Sequence, residues 1–319
     1  MSRRIIWVTS IVVVLLVISL IGAGNYFYSV AINRSYEPIE LYSGEEAEPV
    51  NALLEERKQA KLEEVLKWTE NQAFDYREII SEDGLRLKAR YLKNENSDGK
   101  AVILAHGYKG SSEQMADITK FYFEQGFDVL KPDARGHGES EGDYIGYGWH
   151  ERKDYLEWID FLREEQHAKS VFLHGFSMGA ATVLMTSGER LPAEVKGIIA
   201  DSGYTTVAEE LAHQLKHMYK LPPVPLIQVT SAITKIRAGY TFGEASALEA
   251  VKNNKLPLLI IHGDKDELVP TEMGNRLYDA AKGDKDIWIV PGAGHTDAYT
   301  VAEEEYQQRL QEFMASALK

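Results

Sequence analysis

Residues Val171-Phe172-Leu173-His174-Gly175-Phe176-Ser177-Met178-Gly179 carry an apolar, strand-forming run into a serine with a glycine two positions away on either side. The next residues, Ala180-Ala181-Thr182-Val183-Leu184-Met185, suit a helix. A serine hydroxyl is a poor nucleophile unless it is held in the open beside a base, and a sharp strand-to-helix turn holds it there. In such a turn, side chains two positions before and after the serine collide with it, so Gly175 and Gly179 meet a steric demand. The stretch reads as a nucleophile elbow, and it obliges the rest of the chain to supply a sheet, a flanking helix and partners for Ser177.

Strand and helix patterns alternate around this point. Tyr76 to Ser81 and Leu85 to Leu92 flank Asp83-Gly84, a hairpin signal. Strands are expected at Ala101 to Ala105, Asp128 to Lys131, before Ser177, and at Val195 to Ala200, Leu258 to His262 and Ile287 to Val290. Helical spacing falls near Met115 to Gln125, Glu151 to Glu164, Thr271 to Lys282 and Thr300 to Ser316. This alternation predicts an α/β fold with a mostly parallel, twisted sheet covered by helices on both faces, preceded by an antiparallel hairpin. One interval breaks the rhythm. Residues 203 to about 255 hold no clear strand, but Val207, Leu211, Leu215 and Met218 recur at helical intervals before the Pro222-Pro223 break. They predict a small helical cap inserted over the carboxyl edge of the sheet.

The N-terminus differs in kind. Ile5 to Ala23 carries no charge and is dominated by Ile, Val and Leu, and about 20 such residues span a bilayer. Arg3 and Arg4 precede the run, which favours a cytoplasmic N-terminus and a domain on the outer side. A cleaved signal peptide competes with this reading, because Gly22-Ala23-Gly24 offers small residues for a peptidase. The aromatic Tyr26, Phe27 and Tyr28 and the length of the run favour an uncleaved anchor. The expected organisation is a membrane anchor over 1–34, a linker and stalk helix over 35–73, and the main α/β domain over 74–319. The expected location is the cell membrane, single-pass and facing outward, or secreted if the segment is cut.

Composition narrows the chemistry. The 319 residues include no cysteine, which removes disulfides, thiolate metal sites and a cysteine nucleophile. Of 35 basic and 49 acidic residues, only Arg3, Arg4 and Arg34 fall in the first 34, so 32 basic face 49 acidic residues beyond them, a net −17. Such a domain is a poor partner for nucleic acid and is repelled by anionic membrane surfaces. Freed of its first 34 residues, it is expected to be soluble. No H-E-x-x-H motif and no glycine spacing of the dinucleotide type is present, so neither a metal nor a nucleotide cofactor is expected.

In parallel sheets, ligands meet the carboxyl ends of the strands. After Ala101 to Ala105 comes His106-Gly107-Tyr108-Lys109-Gly110, a turn able to aim a backbone N–H, best placed at Tyr108, at a developing oxyanion. The N–H of Met178 would be the second donor. Gly263-Asp264-Lys265-Asp266-Glu267-Leu268-Val269-Pro270 follows one late strand and Pro291-Gly292-Ala293-Gly294-His295 the last. The order is serine, aspartate, histidine, and either aspartate could serve.

These segments, with Asp133-Ala134-Arg135-Gly136-His137-Gly138-Glu139-Ser140, resemble the α/β-hydrolase superfamily over roughly Phe74 to Lys319. Within it the chain is similar to bacterial membrane-anchored esterases and to relatives of prolyl-oligopeptidase-type and serine aminopeptidase domains. The resemblance implies Ser177 as nucleophile, His295 as general base, Asp266 as acid and Tyr108 and Met178 as oxyanion donors, with Asp264 holding its loop. It makes His137 structural, and His106 is expected to be so as well. Glu151 and Asp154 read as helix N-terminal carboxylates. Tyr204, Met218, Tyr219 and Tyr240 are candidates for pocket walls or for cap packing.

The expected function is hydrolysis of a small-molecule carboxylic ester through an acyl-enzyme. A peptidase or amidase, or an acyltransferase, could use the same residues. From another class, an idle hydrolase fold could act as a surface binding module.

Overall fold

The computed structural model describes residues 3–36 and 63–319. Helix α1 (Arg3–Ala31) opens the described residues, and the next described helix, α2, covers 63–70. Most of the expected linker and the first half of the stalk helix lie outside the described residues. Where α2 is described, it rests on the domain. Val65 is buried, Trp68 meets Phe123 edge-on at 5.7 Å, and Lys120 pairs with Glu64 at 2.7 Å.

Eight strands form one sheet in the order β1-β2-β4-β3-β5-β6-β7-β8. They are β1 (Asp75–Ile80), β2 (Arg86–Leu92), β3 (Lys100–Ala105), β4 (Asp128–Pro132), β5 (Ser170–Phe176), β6 (Val195–Asp201), β7 (Leu258–Gly263) and β8 (Lys285–Val290). The β1–β2 and β2–β4 pairs are antiparallel, and every pair from β4 to β8 is parallel. The central strands are unbroken apolar runs because both faces are covered. Ala101 to Ala105, Val171 to Leu173 and Leu258 to Ile261 are all buried.

One core layer lies under α4 (Glu151–Asp160), α5 (Met178–Ser187), α8 (Ala247–Ala250) and α9 (Thr271–Ala280). The other lies under α3 (Ala116–Glu124), α10 (Ala298–Val301) and α11 (Glu303–Ala317). The single late helix expected over 300–316 is thus divided, with Ala302 at φ −137° and ψ 50° interrupting it. Every residue of α5 is buried, as expected for a helix apolar on all sides.

The cap consists of α6 (Val207–Tyr219) and α7 (Pro223–Ala238). Thr206 caps α6 by accepting from Glu209 N, and Pro222-Pro223 separates the helices. α7 packs against the C-terminal half of α1, and Gly24 marks the closest approach, where an added Cβ would meet Val229 at 2.6 Å.

Candidate active site

Ser177 sits between β5 and α5 at φ 54° and ψ −116°, a conformation costly for any residue with a Cβ. The turn tolerates no side chain at its glycines: a Cβ on Gly175 would lie 2.1 Å from Gly179 O, and one on Gly179 would lie 2.1 Å from Ala105 O. Each Cβ would strike backbone atoms, which cannot yield as a flexible side chain can. The elbow is held from below by Ser177 N donating to Asp201 O at 2.8 Å.

A continuous hydrogen-bonded path runs from the serine. His295 Nε2 is 2.8 Å from Ser177 Oγ, and His295 Nδ1 is 2.8 Å from Asp266 Oδ2. A carboxylate only accepts, so Nδ1 carries the proton toward Asp266 and leaves Nε2 to accept from the serine hydroxyl. The other Asp266 oxygen accepts from Leu268 N at 3.1 Å and Val269 N at 2.8 Å. Burial opposes the Asp266 charge, but hydrogen bonds from His262 and His295 outweigh it and hold the carboxyl below the usual carboxylate range. Asp264 turns elsewhere and accepts from Gly292 N at 2.7 Å, tying its loop to the turn before His295.

Met178 opens α5, so its N–H belongs to the first helical turn, where no intrahelical acceptor exists. The turn carrying Tyr108 lies against Ser177, for a Cβ on Gly107 would contact Ser177 Cβ at 3.5 Å. The Tyr108 hydroxyl is committed to another task, 3.0 Å from Ala31 O and 3.2 Å from Val30 O. His106 Nε2 accepts from Ala134 N at 3.0 Å and is buried, a structural tie between two loops.

Beneath the elbow a buried relay supports the site. Tyr306 OH donates to Asp201 Oδ2 at 2.8 Å, His174 Nε2 is 3.1 Å from the same hydroxyl, and Tyr122 OH is 3.0 Å from His174 Nδ1. Ser202 Oγ donates to Asp201 Oδ1 and accepts from Thr296 N, the residue after His295. Burial pushes Asp201 up to about 6 and His174 down to about 3. The histidine is therefore a neutral link in this chain.

Several participants were not readable as such from the sequence. His262 Nε2 lies 2.9 Å from Val269 O and 3.2 Å from Asp266 Oδ2. Its position at a strand end was the only signal. Glu151 accepts from Gly146 N and Gly148 N, and Asp154 forms a buried ion pair with Arg135 at 2.6 Å. Both stand in the first turn of α4, as expected, and also serve as loop and ion-pair anchors, and burial pushes Glu151 up to about 7. Above Ser177 opens a cavity of about 1100 Å³ lined by cap residues including Leu211, Met218 and Tyr219, by Tyr204, and by Phe27 and Val30 of α1. Tyr240 instead packs in the core with its hydroxyl on Ile145 O. Among the described residues no group of three or more His, Asp and Glu side chains is arranged to hold a metal ion.

The family model described as serine aminopeptidase, S33 (Hydrolase_4), matches residues 97–235. Among curated proteins, the uncharacterized YqkD of Bacillus subtilis is 30% identical over 214 residues, covering 67% of this chain and 70% of its own length. The Pyrococcus furiosus esterase Pf2001 superposes with a TM-score of 0.63 at 27% identity, over 77% of this chain and 93% of its own. The chain belongs to the α/β-hydrolase superfamily. Within this esterase and lipase-type group of hydrolases, human monoglyceride lipase is 26% identical over 254 residues, covering 69% of this chain and 83% of its own. Est1E of Butyrivibrio proteoclasticus, solved with ferulic acid, shares the hydrolase fold at a TM-score of 0.59 and 22% identity, over 76% of this chain and 99% of its own.

Proposed function

We propose that this chain is a membrane-anchored serine hydrolase that cleaves carboxylic esters. The observation that carries the reading is the path Asp266–His295–Ser177, with 2.8 Å at each step. In this mechanism His295 Nε2 takes the hydroxyl proton as Ser177 Oγ adds to the ester carbonyl, and Asp266 stabilises the imidazolium. The backbone N–H groups of Tyr108 and Met178 receive the oxyanion, each worth about 3 to 4 kcal/mol of transition-state stabilisation. Collapse expels the alcohol, which takes its proton from His295. Water, deprotonated by the same ring, then releases the acid from the acyl-serine.

Ester cleavage is favoured over amide cleavage by the apolar cap wall above Ser177 and by similarity to an esterase and a monoglyceride lipase. The match to a family described as serine aminopeptidase supports an amidase as the second reading. The test uses the full chain in detergent: labelling by a fluorophosphonate probe, then turnover of p-nitrophenyl acyl esters and aminoacyl p-nitroanilides. Labelling lost in Ser177→Ala and His295→Ala, with esters turned over faster than anilides, is the expected result. A folded wild type that neither labels nor turns over either class would make the chain a binding module.

For location, Arg3 and Arg4 in the first turn of the 29-residue helix Arg3–Ala31, ahead of its apolar run, support a cytoplasmic N-terminus and an outward-facing domain. Because the chain lacks cysteine, a single Glu95→Cys can be probed in intact cells with an impermeant maleimide. Labelling without lysis is expected, and protection until lysis would reverse the topology.

A further inference from the structure

The N-terminal helix does more than leave the domain at one end. From Ile5 to Ile21 its large side chains are exposed apart from the half-buried Leu20, but Gly24, Tyr28 and the following Ile32 are buried against the domain. The joint is extensively bonded. Ile145 N donates to Ile32 O at 2.8 Å, and Arg34 reaches Gly138 O at 2.7 Å and Ser140 O at 2.6 Å. The last carbonyls of α1, which have no partner within a helix, face the hydroxyls of Tyr108 and Tyr147, with Ala31 O at 3.0 and 3.1 Å. Tyr108 belongs to the turn beside Ser177, so the end of the apolar helix is bonded directly to the site. Phe27, Val30 and Ala31 line the same cavity as Ser177 and His295.

The distances set the level of this cavity. Ile5 to Ile21 is roughly 25 Å of helix, near the hydrocarbon thickness of a bilayer, and Phe27 lies only about 9 Å further along. The pocket wall is therefore at headgroup depth. The cap rim beside it suits that position. Leu221, Val224 and Ile236 are exposed at 38%, 67% and 84%, and exposed Lys216 and Lys220 accompany them in an otherwise acidic domain. Apolar side chains with flanking lysines are the composition of a surface lying in the membrane interface.

We propose that α1 is a wall of the acyl pocket as well as an anchor, and that the substrate is a bilayer-resident ester of a long acyl chain. The chain lies against Phe27, Val30 and the cap helices α6 and α7, while its carbonyl reaches Ser177. This rests on the serine-hydrolase and membrane-anchor readings above, and it adds a substrate class and a function for the anchor. It implies that removing the anchor alters the site and does not merely free the domain.

The test uses the full chain reconstituted in phosphatidylcholine vesicles. kcat/KM is measured for 1-oleoylglycerol in the vesicles and for p-nitrophenyl butyrate in solution, with Val30→Trp beside the wild type and Leu15→Trp as a lipid-facing control. Val30→Trp should lower the oleoyl-to-butyryl ratio at least tenfold, and Leu15→Trp should leave both values unchanged. Should Val30→Trp fail to fold, a hexadecyl fluorophosphonate with a diazirine at its chain end decides on the wild type: after reaction at Ser177, light should attach it to residues 27–31 or to α6 and α7, with adducts on α1 among them. An unchanged ratio, or no adduct on α1, overturns the proposal while leaving the hydrolase reading intact. A wild type unreactive toward the probe overturns both.

Discussion

His262 Nε2 stands 3.2 Å from Asp266 Oδ2, the same oxygen that faces His295 Nδ1 at 2.8 Å. With Val269 O only 2.9 Å away, His262 carries its proton on Nε2 and shares it between the two acceptors. Its Nδ1 has no partner among the described residues, and Gly274 packs so close that a Cβ there would come within 2.7 Å of it. His262 thus holds the carboxylate that holds His295. Losing a hydrogen bond to a charged group costs about 1.5 to 3 kcal/mol, so His262→Phe should lower kcat roughly tenfold to a hundredfold with KM unchanged. A changed KM with intact kcat would assign His262 to substrate binding instead.

Asp266 and Asp264 sit two residues apart and are separable by the same substitution. Asp266→Asn keeps the shape but offers His295 the wrong tautomer, and a loss of about 10⁴ in kcat is expected. Asp264→Asn retains an oxygen for Gly292 N and should stay within about threefold by the same comparison. Reversed magnitudes would move the acid to Asp264.

Burial pushes Glu210, a cap residue near the pocket, up to about 8, only partly offset by the hydrogen bond from Gln214, while the Asp266 charge adds to the rise. Between the usual glutamate value of 4.5 and 8 the group is protonated in the folded chain and ionised in the unfolded one. Folding takes up a proton in that window, so this contribution is fully present below about pH 4.5 and is lost as pH rises toward 8. Glu210→Gln removes the dependence. In thermal scans at fixed rate, the melting temperature of the variant relative to wild type should climb from pH 5 to pH 9. A difference independent of pH would mean that Glu210 is already ionised in the fold.

The parallel core and the elbow were legible because their constraints are local. Apolar runs such as Leu258 to Ile261 mark strands buried on both faces, and a strained serine between two backbone contacts leaves no choice but glycine at 175 and 179. His262 was not legible, since a histidine closing a strand looks the same whether its ring meets a carbonyl or a carboxylate. The 300–316 segment read as one helix because the break at Ala302 is a backbone event that carries no glycine or proline. The role of Phe27 and Val30 was hidden for a different reason. Their apolar character serves a bilayer and a pocket equally well, and only the docking of α1 on α7 separates the two.

That docking changes what truncation should do. Charge alone favours a soluble fragment beginning after Arg34, yet such a fragment loses the burial of Tyr28 and Ile32 and the Arg34 bonds to the 138–142 turn. Burying one large apolar side chain is worth about 1.5 to 3 kcal/mol, so the combined loss is on the order of 5 kcal/mol before the guanidinium bonds are counted. For a domain of this size each kcal/mol shifts the melting temperature by roughly 2 to 4 °C. A chain beginning at Tyr36 should therefore melt on the order of 10 °C below one beginning at Gly22, and should bind a hydrophobic dye at the exposed face of α7. The Gly22 chain drops the exposed apolar span but keeps the joint. Equal melting temperatures and equal dye binding for the two would mean that α1 only touches the domain and stabilises nothing.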